Sequence, residues 1–269
     1  MPTTTVNDVA EKTEMLEIDP NSSVALKSTT KDTGNKQETE RLEGENENKS
    51  VGAQEKKEQE EPIKEAMKEE DVPVEVEAKT GVSFPVMLAD GKRLNAIGLR
   101  KKSMIGVGIK IYAFGIYADN EKLKDLLKTK IGKAPSKLTR EMYQMVIDSN
   151  VGMMVRLVIV FSGLTTSMVR KSFDEGLGAS IKKLTGGKNE ELTKRIMGEA
   201  SDDIKLTPGS VIEISRLPGY TLQTKVKDEV VSTVDSELLC RAFMYMYLGE
   251  DPFDKEAKEK FGTSLLSLF

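Results

Sequence analysis

The stretch Gly98–Asp119 reads GLRKKSMIGVGIKIYAFGIYAD. It holds one arginine, Arg100, at the end of an apolar segment, then KKSMIG, which reads as a turn, then a second apolar segment with two tyrosines. From Val107 onward the side chains alternate. Ile109, Ile111, Ala113 and Gly115 fall on one face, and Lys110, Tyr112, Phe114 and Ile116 on the other. That alternation, rich in β-branched and aromatic residues, predicts a strand paired with the segment before the turn. Arg100 and Tyr112 would then be neighbours, a permanent cation and a phenol beside apolar surface. Such a pair suits a carboxylate with an apolar tail. A second reading stands beside it: an edge arginine reaching out to solvent and a tyrosine packed in the core.

Working outward, VSFPVML (Val82–Leu88) predicts a first strand, and RLNAIGLR leads into the central stretch. NEKLKDLLKTKI and SKLTREMYQMVIDS predict two short helices with Asn120 and Ser136 as N-caps, separated by Pro135. MMVRLVIVF is almost continuously apolar, the pattern of a central strand covered on both faces. TTSMVRKSFDEGLGASIKKL follows as a helix capped from Thr165–Ser167, and NEELTKRIMGEAS as another from Asn189. SVIEIS, YTLQTKV and EVVSTV form a meander turning at LPG and KDE, and two helices broken at Pro252 end the chain. Antiparallel strands with helices grouped between and after them predict an α+β domain whose helices cover one face of the sheet.

Composition divides the 269 residues in two. No Phe, Tyr or Trp precedes Phe84, and residues 1–78 are dominated by Glu, Lys, Thr, Asn and Ser. Such a segment buries too little apolar surface to offset its conformational entropy, so 1–78 is read as a disordered acidic tail and 79–269 as one domain. The formal net charge of −4 gives nucleic acid no evident footing as a partner. There is no histidine and a single cysteine, Cys240, which removes imidazole catalysis, His-based triads and cysteine metal clusters. No phosphate-binding loop occurs, and no cofactor or metal is expected. The longest uncharged apolar run, after Arg156 to Val169, is too short to span a bilayer.

The segments TGVSFPV, GLRKKS, KIYAFGIYAD, MVRLVIVF with SGL, TTSMVRKSFDEGLG and LLCRAFMYMYLGEDPFD occur in this order from Thr80 to about Asp254. They resemble the chalcone isomerase superfamily, and within it the plant fatty-acid-binding branch. The resemblance implies an open β-sandwich: a large antiparallel sheet, a layer of helices and a ligand cleft between them. True isomerases of this family use an arginine, which matches Arg100, and four further polar positions. Those four fall at Tyr112, near Thr165, near Ser172 and near Met246. All four differ in residue type, which argues against chalcone cyclisation, and no catalytic residue is assigned.

The fatty-acid-binding branch keeps the arginine and has a tyrosine at the position of Tyr112, both holding a carboxylate. The resemblance therefore implies a non-catalytic protein that binds a free fatty acid through Arg100 and Tyr112. Thr165, Met168, Ser172, Phe173, Phe114, Phe243 and Met246 are candidates for the cleft lining. Each buried methylene would add about 0.8 kcal/mol, so the tail would dominate affinity while Arg100 orients the head. Two alternatives remain: a chalcone–flavanone isomerase (an intramolecular lyase) of low activity, or an auxiliary flavonoid-pathway protein with a protein partner at its acidic tail. By resemblance the compartment would be the chloroplast stroma, where fatty acids are made. The acidic N-terminus reads instead as cytoplasmic.

Overall fold

A computed structural model describes residues 73–104, 107–198 and 204–269. The tail read as disordered lies outside the described residues, apart from its last few positions. Those positions bring a correction. Val74–Val76, placed in the tail by composition, form strand β1, which pairs with β2 (Ser83–Pro85) in an antiparallel hairpin. Val74 and Val76 are both exposed, so their strand order comes from backbone pairing and not from burial, which composition alone does not register.

The main sheet has six antiparallel strands in the order β10-β9-β8-β5-β4-β3. β3 (Arg93–Met104) and β4 (Val107–Ala118) form a long hairpin. KKSMIG is therefore not a turn as a whole: Lys101, Lys102 and Ser103 continue β3 and pair with Lys110, Ile109 and Gly108. β5 (Met153–Ile159) is central, as its apolar run predicted, with residues of both parities buried. β8 (Val211–Leu217), β9 (Thr221–Val226) and β10 (Glu229–Asp235) are the expected meander. The β9–β10 turn has positive φ at both Lys227 and Asp228, the backbone of a tight two-residue hairpin loop. A short pair, β6 (Leu164–Thr165) with β7 (Lys205–Leu206), stands apart from the main sheet.

The β3–β4 register contains two bulges on opposite strands. Asn95 has no partner between the pairs Leu94–Tyr117 and Ala96–Ile116, and Ile111 has none between Arg100–Tyr112 and Lys101–Lys110. A bulge re-aims the side chains around it. Strict alternation therefore fails at Ile111. Lys110, expected on the face of Tyr112, instead donates a hydrogen bond to the carbonyl of Lys79 in the β1–β2 connection. Asn95 is buried and uses its amide to tie the bulge down: it donates to Asn120 Oδ1 (2.9 Å) and accepts from Ser264 Oγ (2.6 Å).

Helices α1 (Asn120–Lys130), α2 (Arg140–Asp148), α3 (Thr166–Thr185), α4 (Glu190–Lys194), α5 (Glu237–Leu248) and α6 (Lys255–Leu266) complete the domain. Two predicted caps move. Asp119, not Asn120, caps α1 by accepting from Lys122 N, and Thr139, not Ser136, caps α2 by accepting from Met142 N. Each sits directly before its first helical turn with an extended backbone, the geometry a side-chain cap requires. Eight of the twelve α5 residues are buried, so this helix lies at the centre of the helical layer, with α2, α3 and α6 around it.

The sheet is covered on more than one face. Opposite the helices, Phe84 of β2 packs with Ile97 and Ala113, and Leu88 packs with Tyr117 and Met154. The β1–β2 segment thus acts as a partial second layer over β3–β5, and the helices supply only the first.

One fully buried cation organises the far end of the sheet. Arg216 of β8 has no exposed surface and donates to the carbonyls of Ile147 (2.9 Å), Val146 (3.1 Å) and Val151 (2.9 Å). These donations neutralise the carbonyl-rich C-terminal end of α2. Burial pushes the Arg216 guanidinium down to about 10, still far above neutral pH, so it remains charged.

Candidate functional site

The Ile111 bulge and the strand pairing together decide the surroundings of Arg100. Arg100 stands directly across from Tyr112 in the register, as the sequence predicted. Because Ile111 is the extra residue, it lines the same hollow as Tyr112, although the two are consecutive in the chain. The Arg100 guanidinium carbon lies 3.7 Å from the centroid of the Phe253 ring, a close cation–π stack. Phe253 is held there by its neighbours. Its N–H donates to Met246 O (2.9 Å), and Asp254 accepts both from Leu99 N (2.9 Å) and, as the cap of α6, from Ala257 N (3.2 Å).

A groove of about 320 Å³ opens beside Arg100, between the β3–β4 hairpin and the first half of α3. Its floor is apolar: Ile111, Phe161, Leu164 and Met168. Its rim carries Arg100, Lys102, Lys171, Ser172 and Glu175, and Lys102 pairs with Glu175 at 3.6 Å. A small recess of about 20 Å³ lies deeper, lined by Tyr112, Val169, Ser172 and Phe173 among others. Arg100 is half-buried and has no carboxylate partner among the described residues. An apolar floor under a net positive rim fits an amphiphilic anion. A larger hollow, about 410 Å³, lies between α3 and α4, but acids and bases are interspersed in its lining, which includes Asp174, Lys182, Lys188 and Glu190.

The structure divides the predicted site residues. Arg100, Met168 and Ser172 line the groove, and Tyr112, Ser172 and Phe173 reach its recess. Thr165 does not line it; its hydroxyl caps α3 by accepting from Met168 N at 3.2 Å. Phe114, Phe243 and Met246 also stay outside the groove, each at most 2% exposed. Phe114, Phe243 and Phe253 pack edge-to-face on Tyr247 with centroids 5.1–5.5 Å away, so Phe114 and Phe243, candidates for the cleft lining, sit within an aromatic cluster. Sequence reasoning missed Ile111, Phe161, Leu164 and Lys171 in the groove and Phe253 against Arg100. Phe253 lies inside the specific segment LLCRAFMYMYLGEDPFD, where its aromatic character was the available signal.

Burial pushes the Tyr112 phenol up to about 12, only partly offset by Tyr247 and Arg100, so it is a neutral donor at any physiological pH. Burial likewise raises the Cys240 thiol to about 12. In the unfolded chain these groups ionise near pH 10 and pH 8.5. Between the unfolded and folded values the native state holds more protons than the unfolded state, so stability falls as pH rises. Arg216, with its lowered value, works in the opposite sense only above about pH 10. We therefore expect a melting temperature that begins to drop near pH 9 and falls further toward pH 11. Thermal scans across that range check it, and Cys240→Ala should remove the earliest part of the drop.

Among the described residues no group of three or more His, Cys, Asp or Glu side chains is placed to hold a metal, and no helix is long and apolar enough to cross a membrane. A family model described as chalcone isomerase-like matches residues 80–261. Chalcone isomerase-like protein 1 of Humulus lupulus is 60% identical over 199 residues, covering 73% of this chain and 93% of that protein. Fatty-acid-binding protein 1 of Arabidopsis thaliana is 38% identical, covering 72% of this chain and 71% of its own length. The crystal structure of an Arabidopsis thaliana fatty-acid binding protein superposes with a TM-score of 0.68 at 36% identity, over 73% of this chain and 98% of that one. The open antiparallel sheet with its helical layer is the fold of that protein too. From the connection before β2 to helix α6, where the family match ends, this chain belongs to the chalcone isomerase-like family.

Proposed function

We propose that the protein is a non-catalytic binder of free fatty acids, taking the carboxylate at Arg100 and Tyr112 and the tail along the apolar groove. The observation that carries this reading is the half-buried Arg100, without an acidic partner among the described residues, at the rim of an apolar floor. A buried or half-buried guanidinium normally has an anion to pair with, and a ligand carboxylate is the anion that also uses the floor. The relationship to Arabidopsis fatty-acid-binding protein 1 supports the same ligand class. Chemistry on the ligand has little support: with no histidine in the chain and Tyr112 held as a neutral phenol, the groove offers no base poised near neutral pH.

The expected result is saturable binding of lauric and palmitic acids to the full-length protein, measured by isothermal titration calorimetry. Affinity rises with chain length until the tail outgrows the groove, because each newly buried methylene contributes about 0.8 kcal/mol. Arg100→Ala should weaken every acid about 10- to 100-fold, the worth of a charge-assisted hydrogen bond, while preserving the dependence on chain length. Equal affinity in wild type and Arg100→Ala would sink the carboxylate reading.

A second reading has its own observation. The Humulus relative at 60% identity is a chalcone isomerase-like protein, and Arg100 is already stacked on an aromatic ring. A flat polyphenol would continue that stack. Preference for a hydroxylated chalcone over both fatty acids in the same titration would favour this auxiliary role.

A further inference from the structure

The ring of Tyr247 is enclosed on three sides by aromatics: Phe114 at 5.1 Å, Phe243 at 5.5 Å and Phe253 at 5.4 Å between centroids. It is 1% exposed, and its hydroxyl is buried without a hydrogen-bond partner among the described residues. The hydroxyl lies beside that of Tyr112, close enough for each to influence the other's ionisation, and within electrostatic reach of Arg100. The contact with Tyr112 nevertheless falls short of hydrogen-bond geometry, which leaves Tyr247 Oη unsatisfied. A buried hydroxyl left unpaired is costly and rare in native proteins, and each case calls for a reason. Tyr117 also has an unpaired hydroxyl, but it packs with Leu88 and Met154 on the other face of the sheet, away from the groove.

We propose that Tyr247 is a head-group-reading residue, its hydroxyl donating to the bound carboxylate alongside Arg100 and Tyr112. This rests on the fatty-acid reading above and extends it inward. An ionised carboxylate has two oxygens and about four lone-pair sites, so it can accept from one guanidinium and two phenols at once. Burial holds both phenols in the neutral, donating form. The recess at Tyr112 has room for about one water molecule, so a carboxylate enters by pushing aside the α3 side chains that line it, Ser172 and Phe173. A site in which a guanidinium and two phenols donate to one point favours an anionic acid over a neutral lipid with the same tail.

The test compares wild type with Tyr247→Phe in the full-length protein, using lauric acid and 1-dodecanol as probes. Tyr247→Phe should lower lauric acid affinity about tenfold. The affinity for dodecanol should change far less, so the acid-to-alcohol preference shrinks. The ligand-free variant should melt about 2–4 °C higher, because an unpaired buried hydroxyl has gone. If wild type binds lauric acid and Tyr247→Phe binds it equally well, this inference fails and the Arg100 reading stands. A lower melting temperature for the ligand-free variant would mean the hydroxyl is already satisfied, and overturns it too. If wild type binds no acid, both readings fall together.

Discussion

Arg216→Met is expected to lower the melting temperature by about 6–12 °C, a loss of roughly 3 kcal/mol or more. Methionine fills much of the same space but donates nothing. The carbonyls of Ile147 and Val151 would lose their Arg216 donors together inside the protein, while Val146, at the C-terminal end of α2, would keep the N–H and hydroxyl of Ser149. Each buried carbonyl left unpaired costs about 1–3 kcal/mol, before any allowance for the helix dipole. Arg216→Lys should recover less than half of the loss. One ammonium cannot span three carbonyls, and burial at this depth drives a lysine toward its neutral form. Calorimetric scans of the three proteins decide the matter; a drop below about 1 kcal/mol for Arg216→Met would show that α2 ends satisfactorily without the guanidinium.

Gly98→Ala is the second change with a large expected effect, and it acts on stability and on the groove together. A methyl carbon built at Gly98 would sit 2.5 Å from Phe114 Cζ and 2.6 Å from Ala257 Cβ. Both neighbours are fixed: Phe114 is its cross-strand partner, and Ala257 belongs to the first turn of α6. Overpacking of this kind costs about 1–3 kcal/mol, and two rigid contacts place this case at the upper end. Phe114 also touches both phenols of the site, with centroids 6.4 Å from Tyr112 and 5.1 Å from Tyr247. Displacing its ring should therefore weaken lauric acid binding as well as lower the melting temperature. Adding Ala257→Gly removes one of the two clashes and should restore part of both. Unchanged melting and binding in Gly98→Ala would mean that α6 can move off β3 without consequence.

Much of this architecture was legible in the chain. The run Met153–Phe161, apolar except for Arg156, marked the central strand, because a strand covered on both faces needs no polar alternation. The pairing of Arg100 with Tyr112 followed from hairpin logic, even though the turn itself was placed too early. The bulge at Ile111 was not legible. Bulges arise from competition among hydrogen-bond ladders, twist and neighbouring layers, and GIKIYAFG alternates in residue type whether or not one is present. The same limit explains the cleft lining. Phe114, Phe243 and Met246 carry the size and polarity of tail-channel residues, but whether such side chains enclose a space or fill it depends on three-dimensional packing. Phe253 was hidden for another reason: it lies in a loop, where no periodicity announces what a side chain will meet, and its tether to β3 through Asp254 is long-range.

The two bulges of the β3–β4 hairpin carry a consequence for how this family can vary. Asn95 adds a residue on one strand and Ile111 adds one on the other, so the reading frame of the pairing shifts by one and then shifts back. The segment between them, Ala96–Arg100 opposite Tyr112–Ile116, is a framed cassette insulated at both ends. A residue gained or lost at the hairpin tip meets the Ile111 irregularity before it reaches Arg100, and slack in the ladder there can absorb it. Loop length at the groove's rim and the aim of the cation within it are thereby uncoupled. A lineage could lengthen or trim the tip while the pairing of Arg100 with Tyr112 stays in place.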